Sequence, residues 1–526
     1  MRAWWRNSVG YEIYIRSFAD SDGDGVGDLP GVLERLDYLA WLGVDVIWIT
    51  PFYPSPMHDH GYDVADYRGV ADVFGTLDDF DALVAKAHGL GMRALVDLVP
   101  NHTSSEHAWF QAARSSRDDP HRDFYIWRDP RADGGPPNNW RAQFGGSAWT
   151  LDEATGQYWL HLFLPEQPDL NWANPAVADA FDEILRFWLE RGADGFRIDV
   201  AHSLVKHPDL LDNPPVEAAA VIADDGPEPP PPQLQRVYDI DQPGVLDVFR
   251  RWRGVVAPFD GLLLGEVYLL DADRVAPYVA GDGLHLSFWF KPLHIRWDPD
   301  EIQAALAGAA SVGGDGLAWV QSSHDRPRAV SRYGGGQRGR ERALAMAALQ
   351  MFLPGVPFIY QGEELGLENG VVPDEFTADP QATRGAGESR DVARTPMPWA
   401  PSPGLGFTAA EQAWLPFGDR RPEDTVAVQR DDPQSMLHRF RRLIALRRSD
   451  EDLSGAGVEW LGDGGPVVAY RRGPLIVAAN CGERSSGLHL PEGRWTVEFA
   501  SLLDREGEAV GGELALAPRE AVVLRG

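Results

Sequence analysis

Apolar residues along this chain come in short bursts. "YEIYIRSF" (11–18), "VDVIWITP" (44–51), "RALVDLVP" (93–100) and "GFRIDVA" (195–201) are followed by "GLLLGEVY" (261–268), "LHLSFWF" (284–290), "LAWVQSSHD" (317–325) and "GVPFIYQGEE" (355–364). Near-continuous apolar runs of this length read as strands of a parallel sheet covered on both faces. Most are followed by a helical pattern. "LPGVLERLDYLAWLG" and "LDDFDALVAKAHGLG" each end on glycine, a helix stop. Eight such alternations predict the α/β class and, within it, a (β/α)₈ TIM barrel.

Three interruptions shape the rest. Residues 103–172, rich in Trp, Gly and Pro, are too many for one crossover and predict a small inserted domain between the third strand and its helix. A second stretch, 206–237, contains the acidic, Pro-rich "VIADDGPEPPPPQLQ", an extended rim loop with polyproline character. A third, 371–398, follows the eighth strand. Beyond it "SMLHRFRRLIALRRS" has a helical pattern and "VVAYRRG", "LIVAANCG", "RWTVEFA" and "EAVVLRG" read as short strands. The expected division is a barrel over 1–102 and 173–424, the insertion over 103–172, and a C-terminal all-β domain with its leading helix over 425–526.

Polar residues collect at one end of the expected strands. Asp97, Asn101 and His102 close the third, Arg197 and Asp199 the fourth, Glu266 the fifth, and His324 with Asp325 the seventh. Charges that served stability would be scattered over both ends, whereas barrel enzymes carry their chemistry on the C-terminal face. Alternation along a strand puts Arg197 and Asp199 on the same side.

Composition narrows the ligand. With 48 basic against 79 acidic residues the net charge is −31, which disfavours nucleic acid and anionic membranes and suits a neutral polar partner. The 19 Trp, 22 Phe and 14 Tyr serve mostly for packing, though aromatic faces also stack on sugar rings. One cysteine, Cys481, rules out an internal disulfide and suits a reducing compartment. The start, "MRAWWRNSVGYEIYIRSF", has no apolar export core, and no window is long enough to span a membrane. The expectation is a cytoplasmic protein.

Asp199 and Glu266 end neighbouring strands on one face. Two carboxylates flanking a glycosidic bond are what glycoside hydrolysis needs, one attacking the anomeric carbon and one protonating the leaving oxygen. Adjacent strands lie about 5 Å apart, matching the spacing of about 5–5.5 Å in retaining enzymes. Arg197 is expected to keep Asp199 ionised, and the apolar setting of Glu266 to keep that residue protonated.

Near the start, "DSDGDGVGD" (20–28) places Asp20, Asp22, Asp24 and Asp28 at the first, third, fifth and ninth positions of a calcium-loop pattern, with the Val26 carbonyl at the seventh. Gly31 stands where such loops carry a bidentate glutamate, so the motif is incomplete. Oxygen ligands favour Ca²⁺ or Mg²⁺ in a structural role, and no organic cofactor is implied.

Together these segments resemble the α-amylase superfamily, in particular its bacterial α-glucosidase and oligo-1,6-glucosidase branch. "DLVPNH" (97–102), "GFRIDVAH" (195–202), "LLGEVY" (263–268) and "SSHD" (322–325) are similar to its main blocks. "QPDLNW" (167–172), "GVPFIYQGEELG" (355–366) and "SRDVARTPMPW" (389–399) are similar to its supplementary ones. The resemblance implies Asp199 as nucleophile, Glu266 as acid/base, and Asp325 gripping the 2- and 3-hydroxyls. It implies His102 and His324 on sugar hydroxyls, Arg197 orienting Asp199, and Tyr62 stacked under the terminal glucose. Asp59 and Arg390 would close the pocket behind that glucose and make the enzyme exo-acting. The acidic loop of that branch binds Ca²⁺ or Mg²⁺.

Ser323 departs from the family, which has Asn there. Val200 resembles α-1,6-preferring relatives, whereas "VAHSLVKHPDL" resembles maltose-type enzymes, so the linkage stays open, with maltose and short maltooligosaccharides favoured. The alternatives are an oligo-1,6-glucosidase, a transglucosylase or a sucrose-acting isomerase on the same site. A non-catalytic sugar-binding protein or transporter subunit is disfavoured by the retained carboxylates.

Overall fold

A computed structural model describes residues 3–216, 233–450, 453, 455–462, 464–502 and 504–526. Each of the eight apolar runs overlaps a strand: β1 (Gly10–Ile13), β2 (Val46–Ile49), β3 (Arg93–Leu98), β4 (Gly195–Ile198), β5 (Leu262–Gly265), β6 (Leu286–Trp289), β7 (Leu317–Trp319) and β8 (Val356–Tyr360). They form a closed parallel barrel in which each strand lies beside its successor, and β8 closes on β1. This is the TIM barrel read from the sequence.

The pleat sorts the side chains. Val46 and Trp48 of β2, Leu262 and Leu264 of β5, Phe288 and Phe358 fill the barrel interior. Ile47, Ile49, Leu263 and Ile359 pack outward in the main core shared with the helices. In β4 the outward positions are Phe196 and Ile198, so Arg197 faces the axis. Two glycines mark where the barrel has no room: a Cβ at Gly10 would lie 2.4 Å from the Phe358 ring, and one at Gly195 (φ 143°) 2.1 Å from the Leu262 carbonyl.

Helix ends follow their local chemistry. In α1 (Leu29–Leu42) the Asp28 side chain accepts from the Gly31 N–H, and Gly43, left-handed at φ 101°, ends the helix. In α2 (Leu77–Gly89) Thr76 and Asp79 form a reciprocal capping box.

Between β3 and β4 the chain builds a three-stranded antiparallel sheet of Trp127–Arg128, Gln157–Leu160 and Trp149–Asp152. Its tryptophans pack: Trp127 stacks on Phe110 at 5.6 Å, and Trp140, Trp149 and Leu160 share a cluster with Leu210. The acidic Pro-rich segment lies outside the described residues as far as Pro232. The C-terminal domain is a six-stranded antiparallel sheet with a separate two-stranded ribbon, led in by a helix over Met436–Arg448. Arg447 of that helix donates to the carbonyls of Met351 and Gly355, and the Tyr470 hydroxyl donates to Leu349. The domain is thereby fixed to the chain just before β8. Among the described residues no helix is long and apolar enough to cross a membrane.

Candidate active site

The site grows from β4. Arg197, 2% exposed, donates through Nη1 to Asp199 Oδ1 (2.6 Å) and Asp97 Oδ1 (3.0 Å), and its Nη2 lies 3.0 Å from Glu266 Oε2. The Trp48 ring lies 4.7 Å from the guanidinium and its Nε1 donates to Asp97. Thus one cation gathers carboxylates from the ends of β3, β4 and β5. Val200 takes a left-handed conformation (φ 42°) rare for a β-branched residue, and its N–H donates to Glu266 Oε2 at 2.9 Å. That hydrogen bond ties Glu266 to the backbone beside Asp199.

One expectation is corrected here. Arg197 does not hold Asp199 low. Burial raises the Asp199 carboxyl well above its usual range, Arg197 opposes this, and the Glu266 and Asp97 charges add to the rise. Burial likewise lifts Asp97 to about 6 against the same arginine. The physical reason is division: one guanidinium serves three carboxylates in a water-poor place. Sequence reasoning saw Arg197 and Asp199 as a pair and could not count the others.

At the end of β7, His324 is held from below, its N–H and Nδ1 both on the Glu12 carboxylate, while Nε2 meets the Tyr62 hydroxyl at 3.0 Å. The Tyr62 ring lies parallel to the His324 ring, 5.6 Å away. Asp325 receives Arg394 at 2.7 Å and Arg390 at 3.1 Å. Burial would raise its carboxyl, but His324, Arg390 and Arg394 together hold it far below the carboxylate range. Its side chain is nonetheless 32% exposed, against 8% for Asp199, so Asp325 is the carboxylate offered most openly to a ligand. Arg390 also joins Asp59 (2.8 Å) and Asp379 (2.7 Å).

These groups surround a cavity of about 250 Å³ lined by Asp59, Tyr62, His102, Asp199, Glu266, Asp325 and Arg390, with Phe144 and Phe163 from the inserted segment. Arg197 and His324 do not line it; they sit beneath. In this structure Glu12 and Tyr62 occupy the nitrogens of His324. His102 lines the wall, with Nε2 on the Tyr62 carbonyl at 2.9 Å. Glu12, Asp379 and Arg394 escaped sequence reasoning. Arg394 had a signal, lying one helical turn beyond Arg390. Asp379, before Pro380, had the mark of a helix cap. Glu12 had none.

In the acidic loop Asp20, Asp22 and Asp28 each offer an oxygen within 4.8 Å of the others. Asp24 falls outside that group, a departure from the expected set. Its Oδ1 instead accepts from the Val26 N–H at 2.7 Å. Asp28 gives Oδ1 to the cap of α1. The three remaining acids are all oxygen donors and fit a hard divalent cation.

A pocket over a barrel's C-terminal face, with paired carboxylates at its floor, is an arrangement that glycoside hydrolysis can use. The α-amylase catalytic-domain family matches residues 12–456. The chain is 42% identical over 90% of its length to a probable alpha-glucosidase of Rhizobium meliloti (strain 1021), covering 87% of that protein. It is 36% identical to an oligo-1,6-glucosidase of Halalkalibacterium halodurans, over 99% of both chains. The crystal structure of an alpha-glucosyl transfer enzyme, XgtA, superposes with a TM-score of 0.91 at 39% identity over 100% of each chain. The chain belongs to the α-amylase family and is a glycoside hydrolase.

Proposed function

We propose that this enzyme is an exo-acting, retaining α-glucosidase that releases terminal glucose from maltose and short maltooligosaccharides. The observation that carries the reading is that Asp199 and Glu266 share Arg197 at the floor of a pocket lined by the Asp59–Arg390 pair. A pocket closed in this way accepts a chain end. Tyr62 offers its ring to the terminal glucose, and Asp325 and His102 bind its hydroxyls. His324 positions Tyr62 and Asp325 from below.

In the first half-reaction an Asp199 oxygen bonds to C1 as the C1–O bond to the leaving group breaks, and Glu266 gives its proton to the departing oxygen. In the second, Glu266 takes a proton from water as that water attacks C1, and the Asp199 ester bond breaks. A slow fluoroglucosyl donor that traps the intermediate should add its sugar mass to the peptide carrying Asp199. Labelling elsewhere, or none under turnover conditions, would count against the assignment.

Similarity to an alpha-glucosyl transfer enzyme along the whole chain favours a second reading, transfer of glucose to a sugar acceptor. Glucose release measured against new disaccharide formed from maltose separates the two. We also propose a structural Ca²⁺ or Mg²⁺ held by Asp20, Asp22 and Asp28, and a cytoplasmic location.

A further inference from the structure

The arginines in and beneath the pocket have very different partners. Arg197 serves three carboxylates, and Arg390 also serves three, on Asp59, Asp325 and Asp379. Arg326, which lines the same cavity and is half-buried, has no carboxylate partner among the described residues. Its one side-chain hydrogen bond is from Nε to the Tyr268 hydroxyl, at 2.8 Å.

That bond is part of a built support. The Tyr268 ring stacks on Phe290 at 4.7 Å, and its hydroxyl meets His294 Nε2 at 2.6 Å. Burial, with Arg326, Arg332 and Lys291 nearby, lowers His294 to about 4. The imidazole is therefore neutral at physiological pH and accepts from the tyrosine, while the tyrosine accepts from Arg326. Nε of Arg326 is fixed, and among the described residues its two terminal nitrogens have no protein partner. A guanidinium in this state presents a rigid fork of donors, matched to the paired oxygens of a carboxylate or phosphate.

Its position says which part of a substrate it meets. Arg326 follows Asp325 at the end of β7, yet it reaches past β6 to Tyr268, two residues beyond Glu266. Glu266 is the group that protonates the leaving oxygen, so Arg326 stands on the leaving-group side of the bond. Another cation, Arg236, lines the same cavity, and its Nε is taken by Asp239.

We infer that Arg326, braced by Tyr268, makes the leaving-group subsite selective for α-glucosides whose second unit carries an anionic oxygen group, in preference to neutral disaccharides. The inference rests on the α-glucosidase reading and narrows its substrate class.

The test compares kcat/KM of the full-length enzyme on maltose, on maltose phosphorylated at C6 of its reducing ring, and on the disaccharide with glucuronate in that position. Wild type should favour at least one anionic substrate by about tenfold, the worth of a charge-assisted hydrogen bond, and the two anionic arms tell phosphate from carboxylate. The preference should shrink as salt rises from low to high concentration. Arg326→Gln should bring anionic and neutral substrates level, and Arg326→Lys should restore only part of the difference, since it keeps the charge without the fork. Tyr268→Phe should weaken the preference through KM more than kcat. Equal rates on neutral and anionic disaccharides in wild type would overturn the inference, as would a preference that survives Arg326→Gln. Failure of wild type to release glucose from maltose or any of these substrates would instead overturn the hydrolase reading beneath it.

Discussion

Arg197 is the residue on which the site turns. It is buried, and each of its terminal nitrogens serves a carboxylate. Removing one partner of a buried ionic cluster costs about 3–5 kcal/mol, because the charges left behind are uncompensated. Arg197→Met should therefore lower unfolding stability by about that amount in denaturant titration and abolish turnover. A variant of wild-type stability would show that Asp97, Asp199 and Glu266 find other partners. What the sequence disclosed at this scale was pairing by alternation: Arg197 with Asp199 follows from a period of two. The link from His324 to Glu12 spans most of the barrel sequence and joins strands that no local pattern connects. The same holds for Arg394, which meets Asp325 across 69 positions.

Among the elements, the seam between β4 and β5 is tight. Gly195 pairs with Leu262 and holds a φ of 143°, where an added Cβ would overlap the Leu262 carbonyl. Gly195→Ala should destabilise the protein by more than about 3 kcal/mol and, since this seam aligns Asp199 with Glu266, cut activity beyond what the stability loss explains. Normal activity at a temperature where the variant stays folded would contradict that coupling. A second element, the helix over Ala108–Ser115, is capped by His107, whose Nδ1 accepts the Trp109 N–H.

Burial lowers His107 to about 4. Because the folded value lies below the imidazole's ordinary 6.5, the fold prefers the neutral ring. That preference contributes fully above pH 6.5 and is lost as pH falls toward 4, by no more than about 3 kcal/mol. His107→Asn keeps a capping acceptor, now an amide oxygen, without a titratable ring, and should flatten the fall in melting temperature between pH 6.5 and 4. An unchanged slope would assign the acid sensitivity elsewhere. The strands themselves were legible because covered barrel strands are short and apolar. Their ends were not. The runs read from sequence extend past the strands because the C-terminal loops are buried as well, as Val99 and Val267 show.

For the whole molecule, the barrel and the C-terminal β domain were visible in the spacing of strand-like runs. The placement of the acidic loop was visible only in part. Asp20, Asp22 and Asp28 lie together, whereas Asp24, which the pattern counts as a ligand with them, accepts from the Val26 N–H. A cation bound only by the native state raises stability by mass action. Ca²⁺ should therefore raise the melting temperature and EDTA lower it, and Asp20→Asn should lose the response; an identical melting temperature under both conditions would exclude a structural ion.

The whole account depends on the terminal groups of β4 and β5 acting on one carbon from opposite sides of its departing bond, in two successive displacements. Proton NMR during the first seconds of maltose cleavage reads this directly from the configuration of newly freed glucose. Two displacements restore the starting configuration, so the α-anomer should accumulate first and the β-anomer appear only through mutarotation. Early accumulation of the β-anomer would mean a single displacement by water and would contradict the account.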